Sequence, residues 1–183
     1  MRLPSEFVVT YETVLFFPKY DRLGKLFTVG LDNNGLFIVG MSPYELMDSN
    51  LKYYGSSLRG ARDGARMILG EISMPPIVIN DWLEIYWFPS CSPTRDDCVW
   101  FALHHIADYI SVGKKKTLIT FKNGSTFTVD ISINSFEKRI QQAYKLKFKM
   151  EERTKGSFIR VAESVVKYHV NQGSKAVNYS TKR

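Results

Sequence analysis

Arg59, Arg62 and Arg66 recur at intervals of three and four residues within Tyr53–Gly70, YYGSSLRGARDGARMILG. At about 100° per residue this spacing gathers the three side chains into one stripe of a helix, and guanidinium groups bind phosphate and carboxylate in a bidentate fashion. Ser56 or Ser57 is placed to cap such a helix and Gly70 to end it, so the spacing predicts a helix from about Leu58 to Leu69. Leu58, Ala61, Ala65, Ile68 and Leu69 fall on its packing side and the arginines on a neighbouring face. Backbone amides of Gly55-Ser56-Ser57, pointing out of the helix start, would complete an anion site. The plainer alternative is a solvated basic flank on a packed helix. Gly55 and Gly60 have the spacing that opens a phosphate-binding P-loop, but Ala61 and Arg62 stand where that loop needs Lys and then Ser or Thr, which argues against an NTPase.

Catalytic and metal chemistry has fewer candidates: Cys98, His104, His105 and the acids Asp96, Asp97 and Asp108. If Cys98–Ile110 forms a strand, His104 and His105 point to opposite faces and Cys98 lies about 20 Å from His104. Cys91 and Cys98, with six residues between them, do not match a zinc-ligand pair. A buried free thiol and hydrogen-bonded histidines are the ordinary reading of these residues. No enzyme activity, metal or cofactor is therefore expected.

The elements that must hold these groups are set by composition and patterning. With 183 residues, 44% of them hydrophobic and 14% aromatic, the chain can bury one core of ordinary size. The net charge of +7 is unevenly spread: residues 1–137 hold 13 basic and 15 acidic side chains, residues 138–183 hold 12 and 3. A basic segment on a nearly neutral body points to a polyanionic partner, most simply nucleic acid; an anionic membrane surface and a solubilising tail are the alternatives. No secretory signal and no apolar run of about 20 residues is present, so a cytoplasmic protein with reduced cysteines is expected.

Residues Phe7–Pro18 and Lys25–Gly40 read as strands, with a hairpin signal at Asn34-Gly35. Ser42-Pro43-Tyr44-Glu45 is a capping box opening a short helix to Met47 or Leu51. After the arginine helix, Pro75-Pro76 blocks helix, and Ile77–Ile79 and Leu83–Phe88 are short strands. Thr117–Phe121 and Thr126–Ile131 flank Asn123-Gly124 as a second hairpin, with Lys114, Lys115, Lys116 and Lys122 gathered at one end; lysines that guard a sheet edge are the structural alternative. A helix from Asn134 to about Met150 buries Phe136, Ile140, Ala143 and Met150 and presents Lys138, Lys145 and Lys149, with Lys147 nearer the apolar side. A last helix, capped by Ser157, is expected from Phe158 to Val170, and a frayed tail from Asn171 to Arg183. The predicted class is α+β, mostly antiparallel sheet with three to four helices, as one domain over residues 1–150 and a basic C-terminal extension over 151–183.

The ordered set Gly55-Ser56-Ser57 with Gly60 and Gly64, Phe88-Pro89, Thr94-Arg95 with Cys98 and Trp100, His105, Thr120-Phe121 with Asn123-Gly124, and Ile131-Ser132 with Asn134-Ser135-Phe136-Glu137 resembles the ComK family of competence transcription factors. Order and spacing agree from about Tyr11 to Arg153. The chain departs from the family at Ala61, where a basic residue follows the second glycine, and at Asp96, where Pro follows Thr-Arg. The resemblance implies a bacterial activator of DNA-uptake genes that binds AT-rich promoter boxes as a dimer or higher assembly, acts with RNA polymerase, and is delivered by an adaptor to a cytosolic protease. It also implies minor-groove recognition, which suits cationic side chains because the narrow minor groove of A-tracts has enhanced negative potential. Arg59, Arg62, Arg66, Lys114, Lys115, Lys116, Lys122, Lys138, Lys145 and Lys149 are the candidate contacts to double-stranded DNA. A diverged paralogue that binds a related regulator or the proteolytic adaptor, and not DNA, is the second expectation.

Overall fold

The structure is a computed structural model that describes the backbone of residues 3–161, 169–172 and 179–182 and the side chains of residues 3–154. These residues fall into two compact units, Met1–Lys149 and Met150–Arg183. The fold is α+β, with antiparallel sheets and, among the described residues, three α-helices.

In the first unit a six-stranded antiparallel sheet has the order β3-β2-β1-β6-β5-β4. Its strands are β1 (Thr13–Tyr20), β2 (Leu26–Asp32), β3 (Gly35–Val39), β4 (Ile77–Asn80), β5 (Ile85–Pro89) and β6 (Trp100–Ala102). The hairpin predicted between β2 and β3 forms, but its turn is Asn33-Asn34, one residue before the expected Asn34-Gly35, with Asp32 Oδ1 accepting the Asn34 and Gly35 N–H groups at 2.6 and 3.1 Å. Gly30 on β2 has a reason beyond flexibility: a Cβ there would lie 2.0 Å from the ring of Phe37, which stacks on Phe7 with centroids 3.7 Å apart.

Strand alternation sends side chains to two different layers. Phe16, Ile85, Trp87, Trp100 and Ala102 face helices α1 (Pro43–Tyr53) and α2 (Leu58–Leu69), whose Leu46, Met47, Leu51 and Leu58 complete one core. The opposite face carries Phe88 and Phe101. Against it pack Phe127 of β9 (Thr126–Val129) and Phe136 of α3 (Ile133–Val161), with Phe136 lying 5.6 Å from Phe88 and 5.7 Å from Phe101. That second layer is a three-stranded sheet, β7 (Ile106–Gly113), β8 (Lys116–Phe121) and β9 (Thr126–Val129), together with α3 (Ile133–Val161).

Three expectations change. Cys98–Ile110 is not one strand: a 3-10 turn at Leu103–His105 separates β6 in the large sheet from β7 in the small one. Residues 7–12 precede β1 as a non-strand segment, fixed by Asn50, whose side chain accepts from Val9 N–H at 2.7 Å and donates to Phe7 O at 2.9 Å. The third change concerns the C-terminal region: α3 starts at Ile133, with Ser132 Oγ accepting the Ser135 N–H, and its backbone runs through Ser157 to Val161.

In the second unit, β10 (His169–Gln172) and β11 (Tyr179–Lys182) pair antiparallel, so His169 and Val170 are strand residues and the 171–183 stretch is not wholly frayed. The expected helix over Phe158–Val170 lies partly outside the described residues.

Candidate nucleic-acid interface

The start of α2 is built to hold an anion, and the anion is the chain's own. Gly55, at φ +87°, and Ser56 close α1 by donating their N–H groups to Lys52 O and Leu51 O at 3.0 and 2.7 Å. Ser57 Oγ caps the Gly60 N–H at 3.1 Å, and Leu58 N–H donates to the Asp48 carboxylate at 2.9 Å. Lys52, 2.7 Å from Asp48, and the Leu58 amide hold that carboxyl below its ordinary pKa. The anion site expected at Gly55-Ser56-Ser57 is therefore occupied from within, because two of its amides terminate the preceding helix and the helix start is satisfied by Asp48.

The arginine stripe is likewise partly internal. Asp63 stands between Arg59 and Arg66, 3.9 Å from the first and 3.4 Å from the second. Arg66 also donates from Nε to Ile72 O at 3.3 Å, and its side chain is 27% exposed. Arg62 is half-buried, with its Nε enclosed and unpartnered among the described residues. Arg59 alone stands clear, at 93% exposure. Ala61 packs against the core cluster, which explains why a small residue suits a place where a basic one was expected.

Lysines supply the freer charge. Lys114 and Lys115 form the β7–β8 turn, exposed and without an ion pair among the described residues, and Lys116 reaches Asp130 only at 3.9 Å. Lys122 is not with them. It follows the far end of β8, about 20 Å along the strand, where its N–H donates to His105 O at 2.9 Å. The expectation of one basic hairpin end fails because β8 pairs with β7 as well as β9, so its two ends carry separate turns.

On α3, Phe136, Ile140, Ala143 and Leu146 are buried, while Lys138, Lys145 and Lys149 are exposed and fall in one row about 16 Å long at 1.5 Å per residue. Lys149 lies 6.0 Å from the Phe148 ring. Lys147, half-buried as its helical position predicts, pairs with Glu84 at 3.0 Å. A cleft of about 440 Å³ is bounded on one side by residues 71–74, to which Arg66 is tied, and on the other by Lys138, Arg139 and Gln142. The connector after α2 thus adjoins the first turns of the lysine row.

His104 and His105, which strand geometry would send apart, converge because they occupy a 3-10 turn. Each Nε2 approaches the Tyr11 carbonyl, at 2.6 and 2.7 Å, with ring centroids 4.3 Å apart. Sharing one carbonyl as donors requires both rings to carry a proton on Nε2. Burial holds both below their ordinary pKa, His104 at about 4. Nothing near these residues in the chain signals the pair, since the carbonyl that His104 meets lies 93 residues away. Cys98 lies elsewhere, donating to Cys91 O at 3.6 Å, so no Cys-His pair forms between it and these rings. Among the described residues no group of three or more His, Cys, Asp and Glu is placed to hold a metal ion, and no helix is long and apolar enough to cross a membrane.

These features define an α+β protein with exposed lysines on the β7–β8 turn and along α3. Residues 4–155 match the family described as ComK protein, and the chain belongs to that family. It is 30% identical over 130 residues to the Competence transcription factor of Bacillus subtilis (strain 168), covering 71% of this chain and 68% of that protein. No solved structure matches it.

Proposed function

We propose that this protein is a transcriptional activator of competence genes that binds AT-rich promoter DNA through the minor groove. Membership of the ComK family carries the reading, supported by a relative named Competence transcription factor. The lysine row Lys138, Lys145, Lys149 and the β7–β8 turn Lys114, Lys115, Lys116 are the main contacts, with Arg59 the most available arginine of α2 and Lys122 a separate contact beyond β8. Arg62 and Arg66 contribute mainly by shaping α2 and its connector. Lysine is a compact point charge, suited to phosphate walls and to the negative potential of a narrow groove, and it needs no recognition helix in the major groove.

The protein acts in the cytoplasm at the nucleoid, as a dimer or higher assembly on DNA, with RNA polymerase as the downstream partner and an adaptor-directed protease as its route of removal. It uses no cofactor and performs no catalysis. Competition binding tests the groove assignment: an AT-rich duplex labelled with a fluorophore should be released by unlabelled AT-rich duplex and by a minor-groove dye, and far less by GC-rich duplex of equal length. Equal competition by both duplexes would overturn the sequence preference. A complex untouched by the dye would overturn the groove.

A further inference from the structure

The loop between β5 and β6 carries the chain's two cysteines, and the register of the sheet sets them opposite each other. Trp87 faces Ala102, Phe88 faces Phe101 and Pro89 faces Trp100. The pairing extends one step in altered form, because Ser90 N–H donates to Val99 O at 2.7 Å while Val99 N–H donates to the Ser90 side chain, at Oγ, at 2.9 Å. The next facing pair is Cys91 and Cys98. The strands end at Pro89 and Trp100 and the chain bends at Ser90 and Cys91, yet the register still brings the two cysteines across from each other. Cys98 Sγ lies 3.6 Å from the Cys91 carbonyl oxygen, and both thiols are free.

The two thiols differ in access and surroundings. Cys98 is 1% exposed, whereas Cys91 is half-buried and lines a cleft of about 560 Å³ with Arg95, Asp97 and Arg139. Cys91 Sγ donates to Asp97 Oδ1 at 3.4 Å, and Arg95 Nε holds that same oxygen at 2.8 Å. Arg139 brings a second guanidinium, whose Nη1 meets the Met74 thioether at 3.0 Å and the Pro89 carbonyl at 3.5 Å, both neutral. Hydrogen bonding with Cys98 lowers the Cys91 pKa, and the same contact, with burial, raises that of Cys98. Asp97, its carboxyl held below the ordinary range by Arg95, works against the Cys91 thiolate, while the contact with Cys98 favours it. A reachable thiol beside guanidiniums, backed by a buried thiol, is the arrangement of an attacking and a resolving cysteine.

We propose that Cys91 and Cys98 form a reversible intramolecular disulfide by exchange with small disulfides of the thiol pool, Cys91 attacking and Cys98 resolving. In the first step the Cys91 thiol gives up its proton and its sulfur attacks one sulfur of a small disulfide. That S–S bond breaks, one small thiol leaves with a proton, and a mixed disulfide remains on Cys91. In the second step the Cys98 sulfur, losing its proton to the departing group, attacks the Cys91 sulfur and releases the second small thiol. The protein has then lost two electrons and two protons, and one small disulfide has become two thiols. Burial of Cys98 makes the second step the slower one, and the product staples the base of the loop that carries Arg95 and Asp97.

The test uses the full chain with oxidised glutathione, quenched by alkylation and read by mass spectrometry without reduction. The wild-type protein should pass through a transient single adduct on Cys91 to a product two hydrogens lighter, in which the peptides holding residues 91 and 98 are joined, and reduced glutathione should restore it. C98S should stop at the Cys91 adduct, and C91S should remain largely unmodified over the same interval. A wild-type adduct that persists without resolving, cross-links between chains, or equal labelling of both variants would overturn the proposal. The wild-type readout stands alone if either variant folds poorly.

Discussion

Arg59 and Arg66 sit two turns apart on α2, and the structure assigns them opposite fates on replacement by alanine. Arg59 is 93% exposed and 3.9 Å from a half-exposed carboxylate, so its loss should change stability by no more than about 0.5 kcal/mol. If it meets a phosphate, the cost appears in DNA affinity. One neutralised phosphate contributes about 0.9 log unit per log unit of salt, so at about 0.1 M salt its removal weakens binding about eightfold and flattens the salt slope by about 0.9. Arg66 is 27% exposed and ties α2 to the connector at Ile72 O, 3.3 Å away, and to Asp63 at 3.4 Å. Losing a charge-assisted bond of that length at a partly screened site should cost about 1–2 kcal/mol of stability. Arg66→Ala should leave the salt slope nearly unchanged. Urea unfolding followed by circular dichroism gives the first quantity, and fluorescence anisotropy with an AT-rich duplex across a salt series gives the second. Equal stability of the two variants would refute the structural role of Arg66. An unaltered slope for Arg59→Ala would remove α2 from the DNA surface.

Asn50→Ala should destabilise by about 2–4 kcal/mol in urea unfolding, because it strands the buried Val9 N–H and removes the bonds to Phe7 O and Leu46 O; a cost below about 1 kcal/mol would contradict that satisfaction argument. Phe136→Ala opens a void between α3 and the aromatic face of the large sheet and should cost about 3–5 kcal/mol, read as a lowered unfolding midpoint with unchanged slope in denaturant. His104 is neutral in the fold because burial depresses its pKa to about 4, below the unfolded value near 6.5. Its contribution is therefore present above about pH 6.5 and is lost as pH falls toward 4. His104→Gln should flatten that part of the stability–pH curve, and a curve parallel to wild type would refute the assignment.

Local chemistry was readable from the sequence wherever it acts over a few residues. The Ser42–Glu45 capping box, the Ser57 cap with Gly70 as stop, and Lys147 on the edge of the apolar side appear in the fold as the residues predict, and the β2–β3 hairpin forms one residue earlier than Asn34-Gly35 suggests. What failed depends on partners distant in the chain or on competition between neighbours. The Gly55-Ser56-Ser57 amides look free until α1 claims two of them and Asp48 fills the helix start. The arginine row looks uniformly cationic until Asp63 and the Ile72 carbonyl engage Arg66. His104 and His105 converge because a 3-10 turn advances about 120° per residue and not the 180° of a strand, and their shared acceptor, Tyr11, comes from the other end of the domain. Ser157 has the form of a cap, yet α3 continues through it.

Affinity for an AT-rich duplex measured against salt concentration tests the central claim most directly, namely that the lysines of the β7–β8 turn and of α3 bind phosphate. The account predicts a log–log slope steeper than about −3, reduced by about 0.9 for each of Lys115, Lys138 and Lys145 replaced by alanine. A slope near zero, or one that none of these replacements alters, would contradict it.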